Sequence, residues 1–255
     1  MNYVLDDIIK GIVYDKDPFI SDADDVGIEF MDFFRESINE YFNVQFKKGD
    51  IVLYEIHKTL PLKHKGITRQ NFLPAVRYLG NKPEFTKLLL RDGFKETISL
   101  LLNGNLNYDE KKQFLINTSR NNELYDDIER KTQETFKNND FMVNNNIIYD
   151  PDKPKIAYDK GARLFFEDNP YSALSIIQRG TPIVMPKHDW NCKTPRDIIL
   201  LDTVDAKAKH ELIDELNSYD GKMLFRFDNL KDFADYIKSV IPQQKKYHLN
   251  FIGLN

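Results

Sequence analysis

The chain has 255 residues, a formal net charge of −4 and 41% hydrophobic residues, so it is long enough and apolar enough to bury a core. This composition favours a folded protein over a disordered one, and the small negative charge argues against a nucleic-acid partner that binds a whole face, although it leaves room for a local basic pocket. The single cysteine, Cys192, cannot form an internal disulfide, and the histidines lack zinc-type spacing. No apolar run reaches membrane-spanning length and no signal-peptide pattern begins the chain, so we expect a cytoplasmic protein without a membrane partner.

The first predicted element is a short amphipathic helix within residues 1–17, an N-terminal extension to which we assign no chemistry. After Pro18, a short apolar stretch predicts a buried strand that ends at Asp22. Apolar residues then recur every three or four positions between Phe30 and Phe42, which is typical of one face of a helix.

Residues 33–106 are predicted to form a helical cap inserted between the first and second strands of the core. The predicted helices of this insert cover residues 71–79, 83–90 and 94–102. A basic stretch between Lys58 and Arg69 is interpreted either as a solvated loop or as a lid that attracts an anionic substrate.

The rest of the chain alternates between strands and helices, so residues 18–32 and 107–255 are predicted to form one α/β core. The predicted strands are 114–118, 146–149, 162–166, 181–185 and 223–227, and the predicted helices are 122–136, 170–179, 207–216 and 230–240. This alternation predicts a Rossmann-like parallel sheet with helices on both faces. The ligand crevice of such a sheet lies beyond the carboxyl ends of its strands.

Two carboxylates, Asp22 and Asp24, stand at the end of the first strand with one residue between them. Side chains two positions apart in an extended chain point to the same side, so both can address one substrate. One of them could attack phosphorus as a nucleophile while the other passes a proton to the leaving oxygen, and magnesium would offset the buried negative charge. The alternative is a polar turn that closes the strand.

Polar residues also follow two later strands. Thr118 and Ser119 come after the second strand, and Glu167 and Asp168 come after the strand at 162–166. The two hydroxyls would suit phosphate oxygens at a helix start, although Ser119 could instead cap that helix. Phe30 is interpreted either as a core residue or as a ring that stacks on a base.

In chain order, the polar stretches resemble the four motifs of the haloacid dehalogenase (HAD) superfamily of phosphohydrolases. The matching stretches are Asp22-Ala23-Asp24-Asp25-Val26, Thr118-Ser119, a lysine, and Glu167-Asp168-Asn169-Pro170. The later stretches 180–185, 189–191 and 226–230 look like those of 5'(3')-deoxyribonucleotidases. Arg120 departs from the pattern, because proline is common there, and Asp189 replaces a proline.

The resemblance implies a role for each matched residue. Asp22 would be the nucleophile and a Mg²⁺ ligand, and Asp24 would be the general acid and base and bind the metal through its carbonyl oxygen. Asp168 would bind the metal directly and Glu167 through water. The residues implied to contact the substrate are Phe30, Asp25, Thr118 and Ser119.

A lysine that offsets charge in the transition state completes the implied site. From its distance along the chain to Asp168, Lys155 is preferred, followed by Lys153 and then Lys160, and the choice between Lys153 and Lys155 stays open.

The resemblance implies a Mg²⁺-dependent phosphomonoesterase that hydrolyses nucleoside or deoxynucleoside monophosphates through an aspartyl-phosphate. One alternative is a phosphatase of nucleic-acid ends or of another small phosphoester, and a less favoured one is a non-catalytic phosphate-binding module. The expected partner is a small phosphomonoester, with a deoxynucleotide favoured. The preferred base and sugar, the 5' or 3' position of the phosphate, and a homodimer are left open.

Overall fold

The computed structural model describes residues 3–47, 67–104, 113–120, 125–141, 146–188, 191 and 204–241. The basic residues at 58–65, together with Asp189, Trp190 and Cys192, lie outside these ranges. Within the described ranges, no helix is both long and apolar enough to cross a bilayer.

The strands of the described residues form one six-stranded sheet in which all neighbours are parallel. The strands are β1 (Phe19–Asp22), β2 (Phe114–Thr118), β3 (Ile147–Tyr149), β4 (Leu164–Phe166), β5 (Ile183–Pro186) and β6 (Leu224–Phe227). Their order is β3-β2-β1-β4-β5-β6, so the connections change direction at β1. Such a switch point opens a crevice at the carboxyl end of the strand, where Asp22 stands. The predicted α/β fold is confirmed.

Helices cover both faces of the sheet. Those in the described part of the chain are α1 (Tyr3–Lys10), α2 (Met31–Phe42), α3 (Arg69–Gly80), α4 (Phe94–Leu101), α5 (Ile128–Asn138), α6 (Lys153–Asp159), α7 (Pro170–Gln178), α8 (Val204–Asn217) and α9 (Leu230–Val240), with a π-helical turn at Gly11–Asp15 and a 3-10 helix at Pro83–Lys87. Successive residues of β1 point to opposite faces of the sheet and belong to two different cores. Phe19 belongs to the core that includes residues of α1–α5 and α9, whereas Ile20 belongs to the core that includes residues of α6, α7 and α8.

The N-terminal segment is integrated into the first of these cores. Ile9 and Ile12 are fully buried, and the side chain of Gln113 donates a hydrogen bond to the carbonyl oxygen of Ile12 at 2.7 Å. The hydroxyl of Tyr236 on α9 donates to Asp6 on α1 at 2.6 Å. The segment therefore stabilises one face of the sheet by packing. The contacts named above do not include residues of the predicted site.

Two short connections join the predicted insert to the core and run side by side. The amide of Glu29 donates to the carbonyl of Leu89 at 2.9 Å, and the amide of Arg91 donates to the carbonyl of Gly27 at 2.9 Å. Beyond this pair, α4 packs on α9, with the Thr97 hydroxyl donating to Leu230 at 3.0 Å. We therefore propose that the insert ends before residue 90, rather than at residue 106, and that α4 belongs to the core.

Gly93 fixes the point at which the chain returns to the core, and replacing it with alanine is expected to be strongly destabilising. Gly93 has φ +80°, and an added Cβ would lie 2.2 Å from the backbone nitrogen of Lys231. We expect the free energy of unfolding to fall by about 3 kcal/mol or more, measured by urea denaturation.

Gly161 provides the matched control for this substitution. It also has a positive φ, +62°, but no atom of the described residues lies within 4 Å of its added Cβ. Gly161→Ala is expected to cost about 1 kcal/mol, from the left-handed backbone alone. Equal losses for the two variants would contradict the close packing of Gly93 on the first turn of α9.

Candidate active site

Three buried carboxylates meet at the carboxyl end of the central strands. Asp22 is the last residue of β1, and Glu167 and Asp168 follow β4, which pairs with β1. One carboxylate oxygen from each residue lies within 4.8 Å of the others. The sequence predicted that these acidic groups converge, and the structure brings them together because parallel strands end at the same edge.

Lys153 lies between two of these carboxylates. Its Nζ is 2.7 Å from Asp22 Oδ2 and 2.9 Å from Glu167 Oε2, and its side chain is 2% exposed. Glu167 Oε1 also accepts a hydrogen bond from the amide of Asn169 at 3.0 Å, which fixes the turn that carries Asp168. The lysine and the acidic residues therefore form one connected polar cluster.

The structure reverses the preference for Lys155 over Lys153. Lys155 is exposed and pairs with Asp159 at 2.5 Å, on the outer side of α6. Helix α6 begins at Lys153, and residues two apart on a helix point in nearly opposite directions. Sequence reasoning missed this helix, although its signals are present: Asp152 caps it by accepting from the amide of Lys155 at 3.1 Å, and Pro154 lies in the first turn.

Burial and crowding of like charges set the protonation of this cluster. Burial raises the pKa of Asp22 to about 8, with Lys153 opposing the shift and Glu167 adding to it. Burial, together with Asp25, Glu167 and Asp22, also raises the pKa of Asp168 well above its usual value. Burial alone would lower the pKa of Lys153, but the two carboxylates that it contacts outweigh burial and raise the pKa. Lys153 is therefore charged.

The donor set fits a hard divalent cation. Three carboxylates against one ammonium leave two negative charges when all are ionised, which equals the charge of one divalent ion. Clustered carboxylate oxygens are the ligands that Mg²⁺ prefers, with water completing its coordination. Asp22 and Asp168, with Glu167 beside them, are the side chains that could hold this ion.

Without metal, the stability of the protein is expected to fall as the pH rises from about 4 to about 8. Folded Asp22 keeps its proton to about pH 8, whereas an unfolded aspartate has a pKa near 3.8. Between these two pH values unfolding therefore releases a proton, so a higher pH favours the unfolded chain. Mg²⁺ favours the ionised carboxylates and is expected to remove this decline. Urea unfolding across this pH range, with EDTA or with saturating Mg²⁺, measures both effects.

Asp22→Asn serves as the control for this titration, because asparagine cannot bind the proton. The decline with pH in EDTA is expected to be smaller in this variant than in the wild type. An identical pH dependence with EDTA and with Mg²⁺ would contradict a metal site at the cluster.

Asp24 lies outside the carboxylate cluster and pairs with Arg120. Arg120 Nε lies 3.1 and 3.0 Å from the two carboxylate oxygens of Asp24, and Nη2 donates to one of them as well. Sequence reasoning noted Arg120 only as a departure from the motif. The signal that pointed to it is a charged residue directly after a strand-end Thr-Ser pair, but its partner is 96 residues away in the chain.

Phe30 is packed rather than presented to solvent. The residue is 8% exposed, and its ring contacts the rings of Phe34 and Phe85, with centroids 5.8 and 6.3 Å away. The guanidinium of Arg120 lies 5.4 Å from the Phe30 centroid. Stacking on a base stays a prediction, and it would require these contacts to change.

Asp25 supports the turn after β1. Its Oδ1 accepts from the amide of Met31 at the start of α2 at 2.9 Å and lies 3.8 Å from Arg91 Nη1. Burial raises the pKa of Asp25 to about 7, and the hydrogen bond from Met31 opposes the shift. Asp25 has φ +54°, a left-handed conformation that aspartate tolerates. The structure thus gives Asp25 a role in holding the turn, and a substrate contact stays a prediction.

The two hydroxyls after β2 differ in exposure. Thr118 is fully buried, and its Oγ1 accepts from the amide of Arg120 at 3.2 Å, whereas Ser119 is exposed. The next helix of the described residues begins at Ile128 with Asp127 at its N-cap position, so Ser119 does not cap that helix. Residues 121–124, where the predicted helix starts, lie outside the described residues.

Asn191 holds the loop after β4 against the loop after β5. Its side-chain amide donates to the carbonyls of Asp168 at 3.0 Å and Pro186 at 2.9 Å, and its Oδ1 accepts from the amide of His188 at 2.9 Å. These contacts fix the backbone of Asp168 beside Asp22. The asparagine was noted from sequence only as part of the stretch at 189–191.

The solved structures that this chain resembles include HAD-superfamily hydrolases. One is a HAD family hydrolase from Deinococcus radiodurans R1, solved with bound phosphate and sodium, with a TM-score of 0.50, 13% identity, and coverage of 88% of this chain and 96% of that chain. Another is a hydrolase from Pseudomonas syringae, with a TM-score of 0.50, 15% identity, and coverage of 88% and 99%. No protein-family model and no curated protein matches the sequence. At these identities the likeness establishes the fold, so the chain has a HAD-like Rossmann fold.

Proposed function

We propose that this chain is a Mg²⁺-dependent phosphomonoesterase that works through an aspartyl-phosphate on Asp22. The observation that carries the proposal is the convergence of Asp22, Glu167, Asp168 and Lys153 at the switch point of the sheet. Phosphoryl transfer depends mainly on placing the nucleophile in line with the leaving oxygen and on cancelling negative charge on the phosphoryl oxygens. This edge of the sheet brings together the groups that can do both.

In the first step, a carboxylate oxygen of Asp22 attacks phosphorus and the bond from phosphorus to the ester oxygen breaks. The electron pair of that bond goes to the leaving oxygen, which takes the proton that Asp24 must hold when the substrate is bound. In the second step, water attacks the phosphorus of the aspartyl-phosphate and gives its proton to Asp24. The bond between phosphorus and Asp22 then breaks, which releases phosphate and restores the carboxylate.

Lys153 supports both steps from its position against Asp22. Its ammonium favours the ionised nucleophile and offsets negative charge that develops on the phosphoryl oxygens. Thr118, buried at the end of β2 next to β1, is proposed to bind a phosphoryl oxygen. Asp22 and Asp168 would hold Mg²⁺, with Glu167 acting through water, and the ion would supply further charge cancellation.

For the substrate, we propose a nucleoside or deoxynucleoside monophosphate. The support is the likeness of the late stretches of the sequence to deoxyribonucleotidases, together with the position of Phe30 next to the aspartate turn. Another small phosphoester is the second candidate, and a specific observation favours it: the ring of Phe30 is already covered by Arg120 and Phe85.

A phosphate-release screen tests the proposal and separates these substrates. Purified protein with Mg²⁺ is expected to release phosphate from a 5' or 3' deoxynucleotide faster than from sugar phosphates or end-phosphorylated oligonucleotides, and EDTA is expected to abolish release. A preference for sugar phosphates would favour the second candidate. No release from any phosphomonoester would overturn the proposed function.

A further inference from the structure

Arg120 is a buried cation beside the proposed site, and none of the steps above uses it. Its side chain is 2% exposed, whereas that of Asp24 is 23% exposed. Nε and Nη2 donate to the Asp24 carboxylate, and Nη1 donates to Thr132 Oγ1 on α5 at 3.0 Å. The guanidinium is thus bonded on two sides, and one of those sides is the carboxylate of Asp24.

Two aromatic rings fix the plane of this guanidinium. Its central carbon lies 4.8 Å from the centroid of Phe85 and 5.4 Å from that of Phe30. Phe85 belongs to the 3-10 helix and Phe30 directly precedes α2, so elements distant in sequence hold one flat cation. A guanidinium combines stacking on rings with a forked hydrogen bond to a carboxylate, which an ammonium cannot do.

This arrangement determines where the Asp24 carboxylate points. A partly exposed aspartate in a turn can adopt several rotamers, and a forked pair with a fixed guanidinium selects one of them. Proton transfer to a leaving oxygen or from a water depends on such placement, because the donor and acceptor atoms must come within hydrogen-bond distance.

We propose that Arg120 is a positioning residue that orients Asp24 for its two proton transfers. This inference rests on the proposed function, because it concerns the same site. Arg120 itself touches no reacting atom in the scheme, and it acts through Asp24. Its contribution should therefore be confined to the steps that need a proton to move.

The test uses two substrates that differ in their need for a proton. p-Nitrophenolate leaves without protonation, so the first step with p-nitrophenyl phosphate needs little help from Asp24. The second step with this substrate still needs a base to activate water. An alkyl phosphate needs Asp24 in both steps. Rapid-mixing kinetics on Arg120→Met with p-nitrophenyl phosphate should show a burst of about one p-nitrophenolate per active site and a steady-state rate lowered by about 100-fold.

With an alkyl phosphate, the same variant should show a comparable loss and no burst. Arg120→Lys should behave like Arg120→Met, because an ammonium keeps the charge but cannot make the forked pair. The matched control is Arg130→Met on α5, where Arg130 is exposed and pairs with Glu134 at 2.5 Å, and this variant should keep wild-type kinetics.

A structural readout separates positioning from misfolding. Methionine fills a similar volume between the rings, and the partly exposed Asp24 can be solvated, so Arg120→Met is expected to unfold near the wild-type urea midpoint. Asp24→Asn should lower the midpoint more, because it leaves the buried Arg120 without its carboxylate. If Arg120→Met lowers the rates of both substrates equally without a burst, or leaves them unchanged, the positioning role is wrong. Wild-type protein that turns over neither substrate would instead overturn the proposed function, and this inference with it.

Discussion

Asp22→Asn is expected to reduce phosphate release by at least about a thousand-fold while leaving the fold intact. Asparagine keeps the shape of the side chain but cannot form the aspartyl-phosphate, so the covalent route is lost. The fold should survive because Lys153 retains Glu167 at 2.9 Å, and because a buried carboxylate whose pKa is raised to about 8 is replaced by a neutral group. Phosphate release with Mg²⁺ and urea unfolding in EDTA measure the two effects.

Asp15→Asn is the matched control for this variant. Asp15 and Asp17 repeat the spacing of Asp22 and Asp24, but Asp15 is exposed at the end of the π-helical turn, before β1 begins. We expect wild-type release from Asp15→Asn. Unchanged release from Asp22→Asn would remove the nucleophile from the proposal, whatever the substrate.

The part of the site that depends on strands could be predicted from the sequence. Asp22, Thr118 and Glu167-Asp168 each follow an apolar run, and parallel strands bring their carboxyl ends to one edge. The alternation of strands and helices along the chain was sufficient to predict this convergence, because it makes the strands parallel and so fixes which of their ends share an edge of the sheet. No knowledge of side-chain direction was needed.

The part of the site that depends on side-chain direction could not be predicted in the same way. Lys153 and Lys155 are nearly equivalent in distance along the chain, and they differ only once α6 is known to begin at Lys153. The ring of Phe30 was expected near a base, but its neighbours include Phe85, which lies 55 positions away in the chain. Arg120 meets Asp24 across 96 positions. Contacts of this kind depend on tertiary packing, which leaves no periodic trace in the sequence.

The two lysines of α6 are two residues apart in the sequence, but they contact different carboxylates in the structure. Lys153→Met is expected to lower phosphate release by about 100- to 1000-fold, because it removes a charge that stabilises the transferring phosphoryl group. It should also lower the free energy of unfolding in Mg²⁺ by about 3–5 kcal/mol, because two ionised carboxylates lose the cation that both contact.

Lys155→Met is the control two residues away, and we expect its release and its unfolding midpoint to match the wild type. The Lys155–Asp159 pair is exposed on the surface of α6, where solvent screens it. The opposite result, with Lys155→Met inactive and Lys153→Met active, would contradict the geometry of α6 itself. Because methionine has good helix propensity, neither substitution should disturb the helix, and the difference between the two variants reports on the direction of the side chain alone.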